Sequence, residues 1–260
     1  GKLPAGSGDW PFALQLNQQA YNLVAPLYQE EYFANLALTE QFDAWLQGLP
    51  AGGTVLDAGC GHGDPVITRL LERGFQVSGV DLSPEMLCRA REHFPAVPFQ
   101  NLAVTQLEAE AAFDGACSLS SMVYLDPIDF FHAIYRLYRA LKPGGLLFLF
   151  GMDTHPGWRG HPFDQVLEQW MWSWTRSLPE AVSALEEHGY FRVLQAVEVT
   201  PPKEEEPAPP GASGAGEVIV QNILSLPDDT IPFQLPPLPK PKRTQAYAYT
   251  IIAQRNEREG

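Results

Sequence analysis

The chain has 260 residues, 45 % of them hydrophobic, and a formal net charge of −14 from 17 basic and 31 acidic residues. That length supplies one large domain or two small ones, with ample chain to bury a core. The acidic balance excludes a protein that grips nucleic acid chiefly through phosphates, since that binding relies on Lys and Arg displacing counterions. A small-molecule partner is expected instead, because the one visible basic cluster, Lys240, Lys242 and Arg243, is small.

Three cysteines, Cys60, Cys88 and Cys117, lie far apart, with neither a CxxC pair nor a Cys/His spacing. They argue against a secreted disulfide framework and against zinc. No apolar run reaches the roughly 20 residues that span a bilayer, and the start, Gly1-Lys2-Leu3-Pro4, lacks a signal peptide's apolar stretch. The expectation is a cytoplasmic monomer or homodimer without membrane attachment and without a metal.

Residues 10–48 read as helices, with Ala20, Leu23, Val24 and Leu27 at helical spacing. The period then changes. Thr54-Val55-Leu56-Asp57 predicts a buried strand, followed by a glycine-rich turn and a helix over 66–73 closed by Gly74. A second strand covers 75–80, and a helix follows from Ser83 as N-cap, with Pro84 in its first turn. Weaker strands are expected over 97–102 and 114–119, then a helix over 128–140, the turn Pro143-Gly144-Gly145 and the apolar strand 146–150. Strands alternating with helices imply a parallel sheet covered on both faces.

After 150 the rhythm breaks. A loop over 151–162 precedes a stretch with Trp170, Trp172 and Trp174, read as helical, and a helix over 180–188. Two strands are expected over 191–199 and 246–254. Between them, 201–245 holds eleven of the chain's 24 prolines. Residues 203–216 have a composition typical of mobile segments, and 217–226 is a candidate extra strand.

The chemistry concentrates in Val55-Leu56-Asp57-Ala58-Gly59-Cys60-Gly61-His62-Gly63. A strand delivers an acid, and alternating glycines let the backbone bend sharply and a ligand approach without Cβ collisions. The helix N-terminus beyond offers N–H groups to an anion. A second acid, Asp81, ends the second strand, where a carboxylate can accept both hydroxyls of a ribose. One site can thus hold a carboxylate, an ammonium and a ribose.

This run resembles motif I of the class I S-adenosylmethionine-dependent methyltransferases. Gly79-Val80-Asp81-Leu82-Ser83 with Met86-Leu87 resembles the next motif, and Leu141-Lys142-Pro143-Gly144-Gly145 the turn before strand five. All occur in order, as in the small-molecule branch that includes ubiquinone-biosynthesis enzymes (methyltransferase type 11). The resemblance covers roughly residues 20–200. It implies a Rossmann-like α/β fold: a mostly parallel seven-stranded sheet flanked by helices, with the last strand antiparallel. It further implies a helical lid over 1–48 and a methyltransferase domain over 49–260, carrying a substrate-side helical insertion at 151–190 and a Pro-rich loop at 201–245.

S-adenosylmethionine, with S-adenosylhomocysteine as product, is the implied cofactor. Asp57, Gly59, Cys60 and Gly61 would line its methionine part, Asp81 its ribose, and Leu82 and Met86 its adenine. Leu102 and Ala103 fall where relatives contact the adenine edge, although the usual Asp is replaced by Ala103. Leu119 and Ser120 match positions beside the sulfonium, and Tyr21 and Tyr28 belong to a segment resembling the lid helix, which Pro26 would kink or end.

Blander readings stand beside these. The glycine turn is not G-x-G-x-x-G, because Asp64 holds the final position, which argues against a nicotinamide or flavin enzyme. Asp81 can be a solvated turn residue, Tyr21 and Tyr28 plain packing, and Leu102, Ala103 and Leu119 ordinary core. His155 is a candidate base if the acceptor must lose a proton, or a solvated loop histidine. The expected activity is methyl transfer to an O, N or C nucleophile of a small apolar or aromatic metabolite. The alternatives are binding of the cofactor without transfer, or transfer of an aminopropyl or carboxylate group.

Overall fold

The computed structural model describes residues 6–26, 38–152, 161–166, 169–199 and 248–257. Tyr28, His155, the charged and Pro-rich stretch and the candidate strand at 217–226 lie outside them.

In chain order the elements are α1 (Gly6–Val24), α2 (Glu40–Gln47), β1 (Thr54–Ala58), α3 (Val66–Glu72), β2 (Gln76–Asp81), α4 (Pro84–His93), β3 (Phe99–Asn101), β4 (Phe113–Leu119), α5 (Pro127–Ala140), β5 (Leu141–Met152), β6 (His161–Val166), β7 (Gln169–Ser173), α6 (Leu178–Glu186), β8 (Phe191–Val199) and β9 (Ala248–Arg255). Seven strands form one sheet in the order β3-β2-β1-β4-β5-β9-β8. The β1–β2, β1–β4, β2–β3 and β4–β5 pairs are parallel, whereas β9 runs antiparallel to both β5 and β8. The final strand alone is therefore reversed, as expected.

Strand residues alternate between two cores because successive side chains point to opposite faces. Val55, Val77, Cys117, Phe148 and Ile252 pack with Phe42, Trp45 and Leu46 of α2 and with Ile67, Leu70 and Leu87 of α3 and α4. Leu56, Val80, Ala116, Leu147, Leu149 and Ile251 pack on the other face with Ile134 and Leu137 of α5 and with Ala181 and Leu185 of α6. The first layer is anchored by Phe42, Trp45 and Phe148, whose ring centroids lie 5.1–5.7 Å apart, within the range of favourable aromatic pairs.

The predicted Pro143-Gly144-Gly145 turn is a loop-out inside β5. Leu141 pairs with Phe113 and Leu146 with Gly115, so four residues bulge between them. Asp114 fastens this region: it accepts the Thr54 N–H at 2.8 Å and the Lys142 ammonium at 2.9 Å, a structural role.

One expectation is overturned. The Trp-rich stretch is not a helix: β6 and β7 form a separate antiparallel hairpin, with His161 opposite Ser173 and Phe163 opposite Met171. Trp170, Trp172 and Trp174 recur every second residue, which is the period of a strand, and aromatic side chains favour strands. Within the expected 151–190 insertion, the described residues 161–166 and 169–173 thus form a hairpin. The helix beyond it, α6, belongs to the core of the sheet, with Ala181 and Leu185 fully buried.

Helix starts follow their caps. Ser83 Oγ accepts the Met86 N–H at 3.1 Å. Asp126, 2 % exposed, accepts the N–H groups of Ile128 and Asp129, both at 2.9 Å. Asp126→Ala leaves those donors unpaired and should cost about 1–2 kcal/mol, seen as a lower urea midpoint with unchanged m-value. Asp126→Asn should recover most of the loss; an unaltered midpoint in the alanine variant would show that the cap carries no load.

Candidate active site

The chain runs β1-β2-β3 toward one edge and then crosses back to place β4 on the other side of β1. In open α/β sheets, such a switch point opens a crevice beyond the carboxyl ends of the strands. A cleft of about 850 Å³, part of it open to solvent, lies there.

Its floor is the β1–α3 corner. The N–H groups of Gly59 and Cys60 both donate to the Val80 carbonyl, at 2.8 and 3.0 Å, folding the turn over the tip of β2. Gly59 has φ +82°, and a Cβ built there would overlap the Cβ and Oγ of Ser121. Only glycine meets both conditions. Helix α3 begins at Val66, as expected, but none of its residues lines the cleft.

Asp57 lies beneath this turn, 2 % exposed. The Cys117 thiol donates to its Oδ1 at 3.8 Å, while Oδ2 is buried without a hydrogen-bond partner. Burial first, and the nearby Asp81 charge second, raise its pKa from an ordinary 3.8 to about 7.

Asp81 presents a different carboxylate. The Gly61 N–H donates to Oδ2 at 2.9 Å and the Ser83 N–H to Oδ1 at 2.8 Å. Burial raises its pKa, opposed by these backbone donors. Each oxygen accepts one N–H and keeps a further lone pair for a ligand. The Asn101 amide donates to the carbonyls of Asp81 and Leu82, at 2.9 and 2.8 Å, fixing the end of β2.

One side of the cleft is apolar. Leu82, Met86, Leu102 and Ala103 line it. The Leu102 N–H donates to the Asp81 carbonyl at 3.1 Å and the Ala103 N–H to Gln106 Oε1 at 3.0 Å. Both donors are engaged inside the protein, so this edge offers a ligand mainly carbon.

The opposite side is the segment following β4. Leu119, Ser120, Ser121, Met122, Tyr124 and Leu125 line the cleft. Ser121 Oγ donates to the Ala58 carbonyl at 2.9 Å and lies 2.7 Å from Ser118 Oγ, so Ser118 is the donor of that second bond. Ser120 adopts φ +59°, a sparsely populated conformation for a residue with a side chain, and its Oγ is buried without a partner.

Helix α1 forms the roof with Leu14, Asn17 and Tyr21. Asn17 pairs with the backbone of Trp172 in both directions: Nδ2 donates to its carbonyl at 3.1 Å and Oδ1 accepts its N–H at 2.7 Å. Gln18 donates to the Leu82 carbonyl at 2.9 Å, and the Ser83 hydroxyl donates to Asn22 Oδ1 at 2.6 Å. Helix α1 ends at Val24, just before Pro26, as proline chemistry requires.

Of the expected cofactor residues, Gly59, Gly61, Asp81, Leu82, Met86, Leu102, Ala103, Leu119 and Tyr21 line this one cleft. Asp57 and Cys60 are not among its lining residues; the Cys60 side chain belongs to the core, and a Cβ on Gly79 would lie 2.8 Å from its sulfur. Missing from the sequence reading were Leu14, Asn17, Val104, Ser121, Met122, Tyr124 and Leu125. For Ser121, Met122, Tyr124 and Leu125 the available signal was position, immediately past the β4 strand at the switch point; Leu14 and Asn17 share helical spacing with Tyr21 on α1.

The elevated Asp57 pKa has a consequence for stability. A carboxyl protonated more readily in the folded than in the unfolded chain favours folding below pH 4, and that advantage is lost as pH rises through 7. Asp57→Asn should therefore stabilise the ligand-free chain at pH 8, by an amount on the order of 4 kcal/mol at most, with the gain shrinking to near zero at pH 4. Thermal melts of both proteins across that range provide the check; a pH-independent difference would refute the assignment.

Comparison with known proteins follows this geometry. Residues 55–145 match the methyltransferase-domain family model. The chain is 31 % identical over 149 residues to a putative methyltransferase, YqeM, of Bacillus subtilis, covering 54 % of this chain and 57 % of that protein. It is 34 % identical over 141 residues to the malonyl-[acyl-carrier protein] O-methyltransferase of Enterobacter lignolyticus, covering 53 % of each. The chain thus spans about half the length of these relatives. Among solved structures it is similar to the Burkholderia thailandensis 1,6-didemethyltoxoflavin-N1-methyltransferase, solved with 1,6-didemethyltoxoflavin and S-adenosylhomocysteine (19 % identity, TM-score 0.61, covering 99 % of this chain and 94 % of that one). It is similar also to the [4+2]-cyclase SpnF, at 18 % identity and TM-score 0.60, covering 94 % of this chain and 96 % of that one. At these identities the two structures speak for the fold. The methyltransferase-domain match thus spans the β1–α3 corner through the turn in β5, the part of the sheet that carries the glycine turn and Asp81.

Proposed function

We propose that the chain binds S-adenosylmethionine in this cleft and directs its methyl group to an oxygen, nitrogen or carbon nucleophile of a small, apolar or aromatic molecule. The observation that carries the reading is the pairing of two differently equipped acids about one glycine turn. Asp57 lies beneath the turn with a buried oxygen that lacks a donor, and an ammonium on the cleft side of the turn would favour its ionised form through its charge. Asp81 has one backbone donor on each oxygen and can accept the two hydroxyls of a ribose. Leu82, Met86, Leu102 and Ala103 give an adenine flat carbon surfaces, and Leu119 lies toward the reacting end.

When bound, the cofactor supplies a methyl group on a sulfonium, already an excellent leaving group. What remains for the protein is alignment and exclusion of water. Helix α1 and the segment 120–125 enclose the remainder of the cleft, mostly with carbon from Leu14, Met122 and Leu125. The net charge of −14 likewise favours a small acceptor over a nucleic acid. His155 remains the proposed base for an acceptor that must lose a proton.

Calorimetry with S-adenosylhomocysteine tests the cofactor site. Asp81→Ala should weaken binding by about 1–3 kcal/mol, the scale of hydrogen bonds to a charged group; unchanged affinity in a folded variant would reassign Asp81. Turnover is tested by incubating the chain and S-adenosylmethionine with a panel of small aromatic and apolar acceptors and weighing the products. An added methyl supports the reading, another added group supports a different transfer, and binding without product across the panel supports a non-transferring protein.

A further inference from the structure

Most polar groups around the acceptor end of the cleft are already committed. Asn17 is paired in both directions with the Trp172 backbone, and Ser121 with Ala58 and Ser118. Tyr21 and Tyr124 pair with each other. They come from the roof helix and from the segment after β4, yet their hydroxyl oxygens lie 2.6 Å apart. The rings meet edge to face at 77°, with centroids 5.7 Å apart, a favourable aromatic geometry. Each ring is thereby held by an element that the other is not part of.

We infer that Tyr124, oriented by Tyr21, positions the methyl acceptor through a hydrogen bond to an oxygen carried on an otherwise apolar body. This rests on the methyltransferase reading above. A phenolic oxygen engages in more than one hydrogen bond, so the bond to Tyr21 sets the direction of the Tyr124 hydroxyl without exhausting it. Burial pushes the Tyr124 pKa up to about 12, against the smaller opposing influence of its bond to Tyr21. Tyr124 is thus a neutral donor at physiological pH and serves orientation, not proton removal. The oxygen it receives is a hydroxyl or carbonyl, either methylated itself or serving as the handle that aligns a neighbouring nucleophile. Tyr21 is a positioning residue, acting through Tyr124.

The test uses the full chain saturated with S-adenosylhomocysteine and two probes of similar size, 2-naphthol and 2-methylnaphthalene. Wild type should bind 2-naphthol about tenfold more tightly, the ratio expected of one net hydrogen bond. Tyr124→Phe should erase that preference while S-adenosylhomocysteine affinity stays within about twofold, which also shows that the variant is folded. Tyr21→Phe should reduce the preference only in part. No preference in wild type, a preference that survives Tyr124→Phe, or a cofactor-product affinity that falls with it would each overturn the inference. Failure of wild type to bind S-adenosylhomocysteine strikes instead at the methyltransferase reading beneath it.

Discussion

The site depends on a close crossing of two backbones, where the corner after β1 meets the segment after β4. Gly59 and Ser121 approach so nearly that no Cβ fits between them, and Ser121 Oγ uses the contact to reach the Ala58 carbonyl. A parallel sheet leaves a gap at its switch point, because the connections from the two central strands run to opposite sides. Here that gap is narrowed from both sides until it closes below the cleft. The crossing converts a general property of the fold into a floor of defined shape. A side chain at residue 59 would force the two segments apart, and the cleft would lose its base before any ligand contact was altered.

Beneath and beside that floor, folding and binding pull in opposite directions. A carboxylate deep in the protein is costly unless its lone pairs are met. Asp57 receives only a weak thiol donor, from Cys117, and shares the region with a second acid, Asp81. Nothing in the packing of the sheet requires an acid there; Leu56 and Ala58 on either side are buried carbon. The residue makes physical sense as a group whose partner arrives from outside. Asp81, held by backbone N–H groups of both its own corner and the neighbouring one, ties the two acids into a single unit. A cationic ligand would relieve the strain that both contribute.

How far the sequence revealed this depended on whether a feature was local. The β1–α3 turn, the Ser83 cap and Asp81 are written in consecutive residues whose chemistry has few readings, and Leu146–Phe150 has the unbroken carbon of a doubly covered strand. The hairpin β6–β7 was missed although its period was visible, because Trp170, Trp172 and Trp174 were judged against a helical neighbourhood and not by their own spacing of two. Tyr124 was missed for a different reason. Its significance comes from Tyr21, 103 residues away, and no local pattern encodes a pairing at that distance. Ala103 was legible as a departure, but that its N–H is already taken by Gln106 depends on a side chain from the next turn.

The roof is bound differently from the floor. Among the described side chains, α1 buries Ala13, Ala20 and Val24, the last clustered with Tyr21, Ala25 and Met86, and leaves Leu23 at 55 % exposure. Its firm links are amide side chains: Asn17 to the hairpin, Gln18 to Leu82 and Asn22 to Ser83. Burial of carbon is lost outright when an element separates, whereas hydrogen bonds exchange their partners for water at a net cost of about 1 kcal/mol each. The amide geometry admits few alternatives, so these bonds fix the register of α1 over the cleft. The floor is fixed differently, by a crossing where no side chain fits between Gly59 and Ser121.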